Sequence, residues 1–96
     1  IPAAGTRVQV LNEPSKVLWI RFTARNGNNG GVYVGDSNVS ATRGRELRPP
    51  TEVNTAGINT TTEYNPGAHG GSVKISTFYV DADNNGNDVD WEALLD

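Results

Sequence analysis

Ninety-six residues, a net charge of −3 and no cysteine set narrow limits on this chain. One domain, residues 1–96, of this length buries about 60–65% of the surface its unfolded form exposes. With no Cys and a single His, disulfides and the usual zinc sites are excluded, so oligomerisation or an oxygen-ligated ion is the natural supplement to a small core.

Few and scattered cations speak against nucleic-acid binding, and no apolar run approaches membrane-spanning length. Gly and Asn, eleven of each, join Thr, Val and Tyr in a composition suited to strands and turns. Thr6 to Leu11 reads as a first strand, with Val8 and Val10 on one face. Asn12-Glu13-Pro14-Ser15 is a turn. Lys16 to Ala24 is the clearest strand: Leu18, Ile20, Phe22 and Ala24 share an apolar face at period two, and Val17, Trp19, Arg21 and Thr23 share a mixed one. The first face is expected in the core.

Arg25 to Gly31 is a turn cluster rich in Asn-Gly. Val32-Tyr33-Val34 is a short strand, and Gly35 to Gly44 a loop. Glu46 and Leu47 open another strand, halted at Pro49-Pro50 and resumed at Thr51 to Val53. Residues 54–71 read as a long polar excursion, and 1–6 as an extended arm. Ser72 to Val80 alternates as one strand, Asp81 to Asp88 is a turn, and Val89 to Leu95 is the last strand. The sum predicts an all-β fold, a small antiparallel β-sandwich or β-barrel with long loops.

Residues for chemistry are scarce. Nucleophilic catalysis needs a base beside its nucleophile, and His69, the single histidine, stands in Pro66-Gly67-Ala68-His69-Gly70-Gly71, where a solvated loop is the ordinary reading. The glycines at 27, 30 and 31 have no helix after them to bind an anion. No enzyme activity is expected, and a small hydrolase is the remotest alternative. Asp81, Asp83, Asn85 and Glu92 fall at the spacing of a calcium loop, with Gly86 at its turn position. The context is strand-turn-strand rather than helix-loop-helix, so an Asn-Asn-Gly turn with exposed acids is preferred and no cofactor is expected. Trp19, beside Arg21 on the mixed face, is either covered by its own chain or anchors an interface, where Trp and Arg are enriched. Arg43, Arg45 and Arg48, near Glu46, suit cross-subunit ion pairs or a solvated loop.

The order of motifs is familiar. Val32-Tyr33-Val34-Gly35-Asp36-Ser37-Asn38-Val39-Ser40-Ala41-Thr42-Arg43-Gly44 follows an Asn/Gly turn, and Phe78-Tyr79-Val80-Asp81-Ala82 precedes a second one and Val89-Asp90-Trp91. This resembles a group of small β-rich structural proteins of tailed bacteriophages. The likeness spans most of the chain outside residues 54–71, and departs at Pro49-Pro50-Thr51, where the group tends to have Pro-Gly. It implies a virion protein on the outer capsid surface. The expected role is capsid decoration, or cement, forming a homotrimer that bridges capsomers of the major capsid protein. Trp19, Arg21, Arg43, Arg45, Arg48 and His69 are then the expected interface residues. The alternative is a phage tail or adhesion accessory, or a calcium-stabilised carbohydrate-binding module stacking sugars on Trp19, Tyr33 or Trp91.

Overall fold

Eight strands form among residues 5, 7–40, 42–49 and 59–96, the part of the chain that the computed structural model describes. The fold is all-β, with two antiparallel sheets. The first contains β1 (Val8–Gln9), β7 (Tyr79–Ala82), β3 (Val32–Gly35) and β4 (Arg45–Leu47), in that order across the sheet. The second is built on β2 (Lys16–Ala24). One edge of β2 carries β8 (Val89–Leu95); the other carries β5 (Thr61–Tyr64) and β6 (Val73–Lys74), end to end.

Alternation makes β2 the spine of the core, with one change of phase. Val17 pairs with Leu95 and Trp19 with Leu94, so Leu18 is an extra residue in a β-bulge. The bulge puts Val17 on the same face as Ile20, Phe22 and Ala24, all four at most 2% exposed, while Leu18 is only half-buried. The expectation that Leu18 belongs to the core is corrected to Val17. Leu18 instead supports a 3₁₀ turn at Pro66–His69: a side chain on Gly67 would come within 3.0 Å of the Leu18 carbonyl oxygen.

The first sheet contributes Val32, Val34, Leu47, Val80 and Ala82 to the same core, which Ile75, Phe78 and Val89 complete. Phe22, Tyr64 and Phe78 form a triad of rings, with centroids 5.2 to 6.1 Å apart, the range in which edge and tilted packing adds to area burial.

Two expected elements are redrawn. Ser72 to Val80 is not one strand. A 3₁₀ turn at Ile75–Thr77 separates β6 in one sheet from β7 in the other. Burial falls on Ile75, Phe78, Val80 and Ala82, so the face changes at the turn. A two-layered fold needs such a crossing, and local alternation cannot announce it. The polar excursion 54–71 contains β5, whose Thr62 and Tyr64 pair with Phe22 and Ile20. It also contains the 3₁₀ turn, where the Asn65 carboxamide accepts from the Ala68 amide and Gly70 takes a positive φ of 79°. The arm 1–6, apart from Gly5, and the strand at 51–53 lie outside the described residues, as do 54–58.

Side-chain amides join the two Asn-rich turns. Asn28 donates to the Asp88 carbonyl at 2.7 Å and accepts from the Asp88 amide at 2.8 Å. Asn87 repeats the arrangement on Asn29, donating at 2.7 Å and accepting at 3.0 Å. Each carboxamide acts as one more peptide group in a ladder, which extends strand pairing into the turns. At the opposite end of the first sheet Gly44 has φ +126°, and a Cβ there would lie 2.8 Å from the Val34 carbonyl oxygen. The loop of residues 36–43 can close over buried Val39 only with glycine at that point.

Candidate assembly surface

The lateral edges of the two sheets define opposite flanks. β1 and β4 are the outer strands of the first sheet, and β8 and β5 lie on opposite sides of β2 in the second. Val8, Val10, Val80, Val89 and Trp91 line one shared hollow of about 140 Å3, which places β1 beside β8. Arg45 of β4 lies over the Tyr64 ring of β5 at 5.7 Å, so these two strands form the other flank.

β8 is the longest edge strand, and among the described residues it pairs with β2 alone. Apart from Val8, at 37%, the large hydrophobic side chains most open to solvent are on it: Trp91 at 38%, Leu94 at 59% and Leu95 at 57%. An edge of this length normally carries lysine, proline or a protective bulge. β8 carries acids, and Arg21 of β2 and Arg25 just after it balance part of that charge. Arg21 donates through Nε to Glu92 at 2.8 Å and has Glu63 at 3.6 Å. Arg25 meets Asp90 at 2.8 Å and Asp88 at 3.0 Å. The hydrogen bond to Glu92 raises the Arg21 pKa above its ordinary value, and the bond to Asp90 does the same for Arg25. Exposed pairs of this kind add little to stability, because solvent screens them.

The expected interface residues fall into separate groups. Trp19 is half-buried, with the Arg21 guanidinium 5.3 Å from its ring centroid and Leu94 opposite in register. The chain itself thus covers Trp19 in part, and Trp91 is the more open indole. Arg43 and Arg45 are exposed and line one groove of about 410 Å3 with Tyr64, Val39 and Asp36. Arg48 bonds Glu46 at 2.6 Å within its own chain. His69 ends the 3₁₀ turn after β5, away from the arginine groove in the chain, and its side chain is outside the described residues.

The calcium pattern does not assemble. Asp81 is in β7, not in the expected turn; it is 3% exposed, and its Oδ1 accepts from the amides of Gly5 and Ala82. Asp83 accepts from the Gly31 amide at 2.9 Å and the Tyr33 hydroxyl at 2.7 Å. Glu92 is on β8 with Arg21, and Asn85 is in the exposed turn. Among the described residues no cluster of three His, Cys, Asp or Glu side chains could hold a metal. Tyr33, 6% exposed, offers no stacking face for a sugar; burial first, and then the bond to Asp83, pushes its pKa well above the usual phenol value. No helix of the described residues is long and apolar enough to cross a membrane.

Sequence reading did not single out Leu94, Leu95 or Tyr64 as surface determinants. The signal for the leucines was present: Leu94 and Leu95 are adjacent, so period-two alternation turns one of them away from the core. Comparison of the chain with family models, curated proteins and solved structures gives no match.

Proposed function

We propose that this chain is a structural virion protein of a tailed bacteriophage, a capsid decoration (cement) protein. In this reading it lies on the outer capsid surface as a homotrimer and bridges capsomers of the major capsid protein. The observation that carries the proposal is the edge of β8, which among the described residues pairs with β2 alone and leaves Trp91, Leu94 and Leu95 open to solvent beside a small core. Edges that invite aggregation in an isolated molecule are suited to an assembly that covers them. Cementing asks for a stiff scaffold with exposed flanks and for no reacting group. The motifs behind the phage resemblance are scaffold here. Val32–Gly35 and Tyr79–Ala82 are neighbouring strands at the centre of the first sheet, paired from Val32 with Ala82 to Gly35 with Tyr79.

The test is sedimentation of the protein with tailed-phage capsids stripped of their decoration. Binding at a fixed stoichiometry with a rise in capsid melting temperature is expected; a protein left in the supernatant sinks the proposal. A second reading, a carbohydrate-binding adhesion module, draws on a shallow hollow of about 190 Å3 lined by Arg21, Thr23, Asp90, Trp91 and Glu92. An aromatic face beside carboxylates suits a sugar. A glycan array tests it, and loss of a hit in Trp91→Ala is the expected signature.

A further inference from the structure

We infer that copies of this chain join head to tail, the β1–β8 flank of one seated against the β4–β5 flank of the next. The inference rests on the self-assembling reading above and names its surface. Charge argues for it first. On the β8 flank Asp88, Asp90 and Glu92 meet two guanidiniums, Arg21 and Arg25, and Arg21 is shared with Glu63 of β5, so the excess is acidic. On the other flank Arg43 and Arg45 are exposed, and among the described residues neither forms an ion pair. Asp36, which lines their groove, has its carboxylate turned to the Asn38 amide at 2.8 Å. Complementary fields of this kind select a partner and fix its orientation.

Shape argues the same way. On the β8 flank Trp91, Leu94 and Leu95 are open to solvent, Trp91 on the face of Phe22 and Leu94 on the face of Trp19. The β4–β5 flank is hollowed on either side of Tyr64. One hollow, of about 410 Å3, holds Arg43 and Arg45; the other, of about 440 Å3, is walled by Tyr64, Pro66, Val73 and Phe78. Exposed apolar side chains beside acids therefore meet two hollows that share Tyr64, one holding Arg43 and Arg45 with Asp36, the other apolar with Glu63 at its rim. A two-fold pairing of β8 with its own copy is disfavoured, because it sets Asp90, Glu92 and Asp96 of both strands against one another. The two flanks lie on opposite edges of the sandwich, so the contact is heterologous and closes into a ring where the rotation permits.

The chain has no cysteine, so single cysteines report the contact. Leu94→Cys and Arg43→Cys, each at an exposed site, are mixed and treated with a short bis-maleimide. A cross-linked heterodimer in the mixture, with little product from either variant alone, is expected. In parallel, Arg43→Glu/Arg45→Glu weakens self-association in sedimentation equilibrium by about 100-fold. Should that variant lose its fold, seen by circular dichroism, Arg43→Glu alone carries the measurement with about a tenfold loss. Cross-linking of Leu94→Cys to itself, or association unaffected by the glutamates, overturns the head-to-tail surface while self-assembly stands. A wild-type chain that stays monomeric at high concentration removes both.

Discussion

β7 and β8 are close in sequence and share a vocabulary, Tyr-Val-Asp-Ala in one and Val-Asp-Trp-Glu in the other, yet their side chains have opposite fates. β7 lies between two strands and is buried from Val80 to Ala82. Among the described residues β8 has a neighbour on one side only, and it is exposed at five of its seven positions. Asp81 is sealed in the first sheet and accepts backbone amides; Asp90 is on the surface and accepts a hydrogen bond from the exposed Arg25 guanidinium. The same carboxylate is thus structural on a central strand and a surface charge on an edge. Position in the sheet, not residue type, decides which.

Substitutions across this divide sharpen it. The largest effect is expected where a core residue of β2 faces the edge. Phe22 and Trp91 are partners in register. Phe22→Ala should cost about 4 kcal/mol in urea unfolding. Trp91→Ala, at an open site, should cost about 1 kcal/mol while weakening self-association. Equal losses would erase the distinction between core and flank. Next come the carboxylates. Asp81→Ala leaves buried amides short of an acceptor and should cost about 2 kcal/mol, against about 0.5 kcal/mol or less for Asp90→Ala.

The turns give a third contrast. Asn87 is 4% exposed and bonded twice to Asn29, so Asn87→Ala should lower stability by about 2 kcal/mol, whereas Asn85→Ala in the exposed part of the same turn should change it by about 0.5 kcal/mol or less. The smallest effect is expected in alkali. A tyrosine of the unfolded chain ionises near 10, and folding holds Tyr33 above that value. The contribution of Tyr33 to stability is therefore constant below about pH 10. Above it stability declines, because the unfolded state releases its proton first. Tyr33→Phe should flatten that decline in a melting series run up to pH 11.

Sequence pattern made much of the scaffold legible. The strands at Lys16–Ala24 and Val89–Leu95 have the bounds that alternation assigns them, because each faces a continuous core on one side only. Where the reading departed from the fold, the cause was long-range. The bulge at Leu18 answers to the register of β8, some seventy-five residues away. β5 escaped notice because its threonines, polar on paper, acquire their role by pairing with β2. On the surface, the pairing of Arg21 with Trp19 was legible at period two, while the meeting of Arg45 with Tyr64 required two sheets to be stacked.

The sequence by itself determined an all-β chain with Asn- and Gly-rich turns and a core drawn from its alternating apolar runs, since period and turn chemistry act over a few residues. Only the tertiary structure decided which strands became edges and which layer each segment entered. Those choices depend on contacts between distant residues that no local pattern encodes. They are also what set the exposed side chains of β8 and the arginines beside Tyr64 on opposite edges of the sandwich.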